Sequence, residues 1–376
     1  MEDLVMFNDI YAGRRVLVTG HTGFKGSWLC LWLEMLGAKT FGFALEPETD
    51  LSHFYLSKPE VLCRTADIRS LQEIREAVKY ARPDVIFHLA AQPLVRRSYF
   101  APLETLHTNV MGTANLLEAC RHIDSVRAII NITSDKCYED QGNGRGCMEN
   151  DPMGGSDPYS ASKGCAELVI RAYRDSYFPV HTYGANHHTL VASARAGNVI
   201  GGGDWGADRL LPDIIRAAAA KKQLKVRNPG HIRPWQHVLD PLCGYLILGK
   251  YLLEGRSEYA GAWNFGPAGD TRVTVASIVE MVQNHWDDFS YTFAHETEPL
   301  PETATLHLDS SRARKSLNWE PVWDVSDSVQ KTVDWYRSFY HNGGILSRKQ
   351  LQDYCLEAER TGACWVERSG SEGPGV

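Results

Sequence analysis

The chain has 376 residues, 43% of them hydrophobic and 23% charged, with a formal net charge of −7. That length supplies one large or two ordinary globular domains whose core needs neither disulfides nor a metal to fold. The acidic balance argues against a nucleic-acid partner, and no run of about 18 apolar residues marks a membrane span.

The nine cysteines form no C-x-x-C pair and show no zinc-ligand spacing. We expect reduced thiols, no metal site and a cytoplasmic location, since the N-terminus also lacks an apolar signal core. In chain order, Val16-Leu17-Val18 is a short β-branched run ending at Gly20, the signature of a buried strand. Phe24 to Leu36 reads as a helix stopped by Gly37, and Lys39 to Leu45 as a second strand. Ser70 with Glu73 makes a capping box that opens a helix to Ala81. Asp84 to Ala90 is a strand, Leu103 to Arg121 a helix, and Val126 to Thr133 a strand again. The next helix runs from Pro158 to Tyr177, and the next strand from His188 to Ala196.

This alternation predicts an α/β fold, a Rossmann-type doubly wound parallel sheet over residues 14–197, behind an N-terminal extension of residues 1–13. Beyond Gly197 the pattern loosens. Gly201-Gly202-Gly203 is loop, Leu211 to Lys222 a helix, and Pro- and Gly-bearing turns separate the later elements. Residues 198–358 therefore read as a smaller, irregular substrate lobe, and 359–376, ending in the Gly-rich Ser369 to Val376, as a flexible tail.

Three motifs carry chemistry. The first strand runs into Thr19-Gly20-His21-Thr22-Gly23-Phe24-Lys25-Gly26, with glycines spaced G-x-x-G-x-x-G. Gly20 permits a tight turn, Gly23 lets the backbone approach a pyrophosphate, and Gly26 lets the helix pack close to the sheet with its N-terminus toward the phosphates. Second, Tyr159 and Lys163 stand four apart on one helix face, and Asp157 and Pro158 open that helix. The helix dipole and the neighbouring ammonium should both lower the tyrosine pKa toward working pH. Third, Ser134-Asp135-Lys136 stands at a strand C-terminus, the end that faces the ligand crevice in such sheets.

On these motifs the chain resembles the extended short-chain dehydrogenase/reductase superfamily from about residue 14 to 340. The resemblance implies a nicotinamide cofactor held by Gly20, Thr22, Gly23, Phe24, Lys25 and Gly26. It places Asp67 and Ile68 beside the adenine, lines the cofactor with Leu89, Ala90 and Ala91, and gives Asn109 a structural or cofactor role. NAD is favoured over NADP, because no Arg follows the second strand to hold a 2′-phosphate, although the acid there, Glu46, falls late. Tyr159 is implied as the base for a sugar hydroxyl, with Lys163 binding the nicotinamide ribose and Ser134 hydrogen-bonding the reacting oxygen.

The acid and base directly after Ser134 further resemble the nucleotide-sugar 4,6-dehydratases, which carry Thr-Asp-Glu there. Lys136 in place of Glu matches the branch acting on CDP-glucose, as do Thr19 to Trp28, Ser134 to Tyr138 and Arg233 to Val238. That branch implies oxidation at C4, removal of the C5 proton, loss of the C6 hydroxyl and return of hydride to C6. A lysine serves as base where burial disfavours its charge. Substrate contacts are expected from Asn198, Arg209, Arg233 and Asn264, and from Arg97 with its neighbour Arg96. An epimerase, a dehydratase for another nucleotide, and a non-catalytic cofactor-binding regulator stay open as alternatives. The superfamily's four-helix interface, built here from helices 103–121 and 158–177, would make the chain a homodimer.

Overall fold

A computed structural model describes residues 4–139, 144–267, 272–286, 289–294 and 306–368. Its centre is a seven-stranded sheet: β1 (Arg15–Thr19), β2 (Lys39–Ala44), β3 (Leu62–Thr65), β4 (Val85–His88), β5 (Ala128–Ile132), β6 (Leu190–Ala196) and β7 (Ala262–Phe265). The order is β7-β6-β5-β4-β1-β2-β3, and every neighbouring pair is parallel. The chain is thus wound in both directions from β1, and the crevice between β1 and β4 is the place where strand order reverses.

Side chains of a strand alternate between faces, and each face of this sheet is buried by helices. Val16 and Val18 of β1 and Phe87 of β4 pack on one side with α1 (Phe24–Met35). Leu17 and Ile86 point to the other, toward α2 (Leu71–Ala81) and α3 (Gly112–Cys120). That second side also carries α4 (Pro158–Tyr177), which delivers Ile170 to the core. The expected helix from Leu103 runs without interruption from Pro102 to Cys120, through Pro102–Leu106, a π-turn at His107–Met111, and α3. β3 lacked a sequence signal because it is an edge strand with mostly exposed side chains, so no apolar run marks it.

The sheet does not end at residue 197. After α5 (Leu210–Ala219) the chain returns to the sheet. There α6 (Leu239–Leu253) packs its almost wholly buried length beside α1, and β7 adds the strand next to β6. The substrate side has its own apolar cluster, where α5 meets α7 (Val275–His285) and α8 (Val325–Asn342).

The two ends of the described chain pair with each other, Leu4–Met6 antiparallel to Val366–Arg368. Of the expected tail, residues 359–368 are therefore ordered, with Trp365 buried, while residues 369–376 lie outside the described residues. Phe7, Asn8 and Asp9 take left-handed backbone angles, φ +53°, +55° and +52°, which side-chain-bearing residues adopt at a cost. Burial of the Phe7 ring, stacked 5.0 Å from Trp365, and the bond from the Phe7 amide to the Trp365 carbonyl hold that turn. Phe7→Ala should therefore lower the unfolding free energy by about 3 kcal/mol in a denaturant titration. A loss below about 1 kcal/mol would show that the clasp contributes little.

Candidate active site

A cavity of about 660 Å³ opens at the C-terminal ends of the strands and extends under the substrate lobe. Its floor is the β1–α1 turn. Gly20 has φ +74°, and a methyl there would stand 2.7 Å from the Ala90 amide nitrogen. A methyl on Gly26 would stand 2.1 Å from the Gly20 carbonyl oxygen. Glycine is thus required at both points by close backbone approach, and the free amides of the first turn of α1 face the cavity. Thr22, Gly23, Phe24 and Lys25 line it, with Leu89, Ala90 and Ala91 opposite and Asp67 and Ile68 farther along.

Glu46 also lines this cavity. Tyr55 and Thr65 donate to its carboxylate at 2.6 and 2.7 Å, which holds it ionised, below the usual carboxylate range. The sequence placed Glu46 late because the loop that turns it back, pinned by Tyr55, leaves no local pattern. Asn109 lies outside the cavity lining. From the π-turn it accepts from the Gln92 amide and donates to the Gln92 carbonyl and to Ser162 Oγ, tying the loop after β4 to α4.

The catalytic candidates meet in the middle. Asp157 caps α4 by accepting from the Ser160 amide at 2.9 Å, and the Tyr159 amide donates to Ser98 Oγ at 3.1 Å. Tyr159 and Lys163 face the cavity from this helix, and Ser134, Asp135 and Lys136 enter it from the end of β5. Ser134 Oγ accepts from the Lys136 amide and donates to Asp135 Oδ1 at 2.8 Å. Asp135 Oδ2 is buried with no hydrogen-bonding partner among the described residues.

Burial dominates the electrostatics here. It raises the Asp135 carboxyl above its ordinary range against the pull of Lys136, Ser134, Arg233 and Lys25. It lowers Lys163 to about 8 and Lys25, in the glycine-rich turn, to about 7. The expected lowering of Tyr159 is reversed. Burial pushes the phenol to about 12, and its interaction with Ser134 offsets only part of that. Desolvation of an anion outweighs the dipole of a helix end when the site is this enclosed.

On the substrate side, Asn198, Arg209, Arg233, Arg96 and Arg97 all line the cavity. Arg209 donates to both oxygens of Asp204 at 2.9 Å, Arg97 pairs with Glu104 at 2.9 Å, and Arg96 approaches Asp208 at 3.8 Å. Buried Arg233 donates to the Ile232 carbonyl and to His231. Asn264 is not in the cavity. It donates to the Cys147 and Asp309 carbonyls and accepts from the Tyr138 hydroxyl. Among the described residues no His, Cys, Asp and Glu side chains gather as a metal site, and no helix is long and apolar enough to cross a membrane.

Two groups under the site escaped sequence reasoning. Ser98 and the buried pair Glu167–Arg195 carry no motif signal, because their partners lie 61 and 28 residues away. Lys163 yields a pH test. The folded chain holds this proton less tightly than the unfolded one, so between about 8 and 10.5 the unfolded state binds more protons and stability rises with pH. Wild type should gain on Lys163→Met across that window in denaturation curves. A constant difference between the two would refute the shift.

A family model described as GDP-mannose 4,6 dehydratase matches residues 17–332. CDP-glucose 4,6-dehydratase of Salmonella typhimurium is 45% identical over 94% of this chain and 99% of its own. dTDP-glucose 4,6-dehydratase of Neisseria gonorrhoeae is 26% identical, over 86% and 95%. Among solved structures, a dTDP-glucose 4,6-dehydratase from Bacillus anthracis in complex with NAD superposes with a TM-score of 0.70. It is 21% identical and covers 86% of this chain and 98% of that one, a likeness of fold. Match and geometry agree, and the chain belongs to the GDP-mannose 4,6 dehydratase family.

Proposed function

We propose that the protein is a CDP-glucose 4,6-dehydratase that keeps NAD bound through the reaction. The observation that carries this is the Ser134-Asp135-Lys136 triplet facing Tyr159 and Lys163 across one cavity, with Asp135 buried and its carboxyl raised toward the neutral form. An epimerase needs a hydroxyl at this point and has no use for the added acid and base. The 45% identity to the Salmonella typhimurium enzyme supports the nucleotide.

The glycine cradle that a Cβ would fill, the free amides of α1 and the anchored carboxylate of Glu46 fit a dinucleotide with an unmodified ribose. A second negative charge, on a 2′-phosphate, would be repelled by Glu46. Bound NAD supplies the acceptor for the C4 hydride and its return to C6. The remaining work falls to side chains. Tyr159 takes the proton of the C4 hydroxyl while Ser134 hydrogen-bonds that oxygen, and Lys163 holds a positive charge beside them. Once C4 is a ketone, the C5 proton is acidic, and Lys136 removes it. Asp135, whose carboxyl burial raises above its ordinary range, is the group assigned to give a proton to the departing C6 hydroxyl. Arg209 and Arg233, with Asn198, offer the nucleotide diphosphate a cationic wall within a chain of net charge −7.

Phe100, Leu103 and Leu168 are 83%, 79% and 56% exposed on the helices from 95 to 120 and α4, a face that we assign to a homodimer. Nine cysteines without C-x-x-C or zinc-ligand spacing support a cytoplasmic setting.

Incubating the protein with CDP-, dTDP- and UDP-glucose and no added cofactor, followed by mass analysis, should show loss of one water from the cytidine sugar alone. Dehydration of a different nucleotide sugar would reassign the substrate, and epimerisation without water loss would reassign the reaction. Tyr159→Phe should abolish C4 oxidation, and Lys136→Ala should retain it while slowing loss of the C5 proton. Leu168→Glu should shift sedimentation from dimer to monomer if the assigned face is the interface.

A further inference from the structure

The turn that carries the acid and base of the elimination is a single 3-10 turn, Asp135–Cys137. So short a turn does not fix its own orientation. At one end Ser134 Oγ caps it by accepting from the Lys136 amide. At the other end stands Tyr138, which does not face the main cavity and whose hydroxyl is held twice inside the protein. Arg195 donates to that hydroxyl at 2.7 Å, and the hydroxyl donates to Asn264 Oδ1 at 2.7 Å. The Arg195 guanidinium also lies 5.0 Å from the centre of the Tyr138 ring.

Arg195 is itself immobilised. Its Nη2 bonds Glu167 Oε2 at 2.6 Å, and both side chains are buried. Glu167 also accepts from Thr133 and Ser193, on the strands to either side. It sits on α4 one turn beyond Lys163, on the same helix face. One buried ion pair thus joins the helix of the oxidation step to the turn of the elimination step, and the Tyr138 hydroxyl links it to the C-terminal end of that turn.

We propose that Tyr138, held by Arg195 and Asn264, is a positioning residue for the elimination half of the reaction, setting where Asp135 and Lys136 point while leaving C4 oxidation to Tyr159 and Lys163. This rests on the dehydratase reading of the site. It also gives Asn264 a place: it acts from behind the site through the Tyr138 hydroxyl.

Tyr138→Phe removes one oxygen and keeps the ring, so packing is preserved. In single turnovers with CDP-glucose in deuterated water, C4 oxidation is followed as reduced nicotinamide, and C5 deprotonation as deuterium gained at C5. For Tyr138→Phe we expect C5 deprotonation to slow by about tenfold, with reduced nicotinamide accumulating, while C4 oxidation stays within about twofold and Tm within a few degrees. Equal slowing of both steps, or no slowing of either, overturns the proposal while the wild type still exchanges C5. A wild type that gains no deuterium at C5 overturns the dehydratase reading and this inference with it.

Discussion

Two opposite charges, Glu167 and Arg195, lie 2.6 Å apart beneath the strand ends, shut off from water. Removing one partner of such a pair strands the other in a medium that cannot solvate it, at a cost of about 3–5 kcal/mol. Glu167 is satisfied only if β5, β6 and α4 converge, because it accepts from Thr133, Ser193 and Arg195 together. Its remaining contacts extend through Arg195 to the loop of the triplet and through Asn264 to β7. The ion pair therefore specifies how these elements meet behind the catalytic candidates.

The same exclusion of water sets the acid–base character of the site. Burial favours the neutral form of four groups at the cavity: Asp135 and Tyr159 are raised, and Lys25 and Lys163 are lowered. A carboxyl raised toward its neutral form suits a proton donor to a leaving group. The opposite shifts come from one physical effect, with their sign decided by the sign of the charge.

The parts of this molecule that could be read in its sequence are those encoded locally. Val16-Leu17-Val18, the glycines at 20, 23 and 26, and the Asp157-Pro158 start of α4 each state their geometry within a few residues, and the structure places them accordingly. Contributions made across long separations were not legible. β7 joins β6 from about seventy residues away, so the substrate lobe and the sheet are interleaved where the sequence implied succession. Asn264 followed a motif into the substrate list, whereas its partners, Tyr138, Cys147 and Asp309, come from three distant loops. The direction of the Tyr159 shift failed for a related reason. Dipole and neighbouring charge can be read along a helix, but enclosure is a property of the whole fold.

The late arrival of α6 and β7 bears on biosynthesis. Val18 and Phe87 on one face of the sheet share their core with Leu242 and Leu246 of α6, which the ribosome adds long after β1 to β6. Until then a nascent chain would present an uncovered apolar face and, at β6, an unpaired strand edge open to other chains. The interleaving that completes the sheet in the finished enzyme thus comes with an exposed apolar face on the emerging polypeptide until α6 and β7 are made.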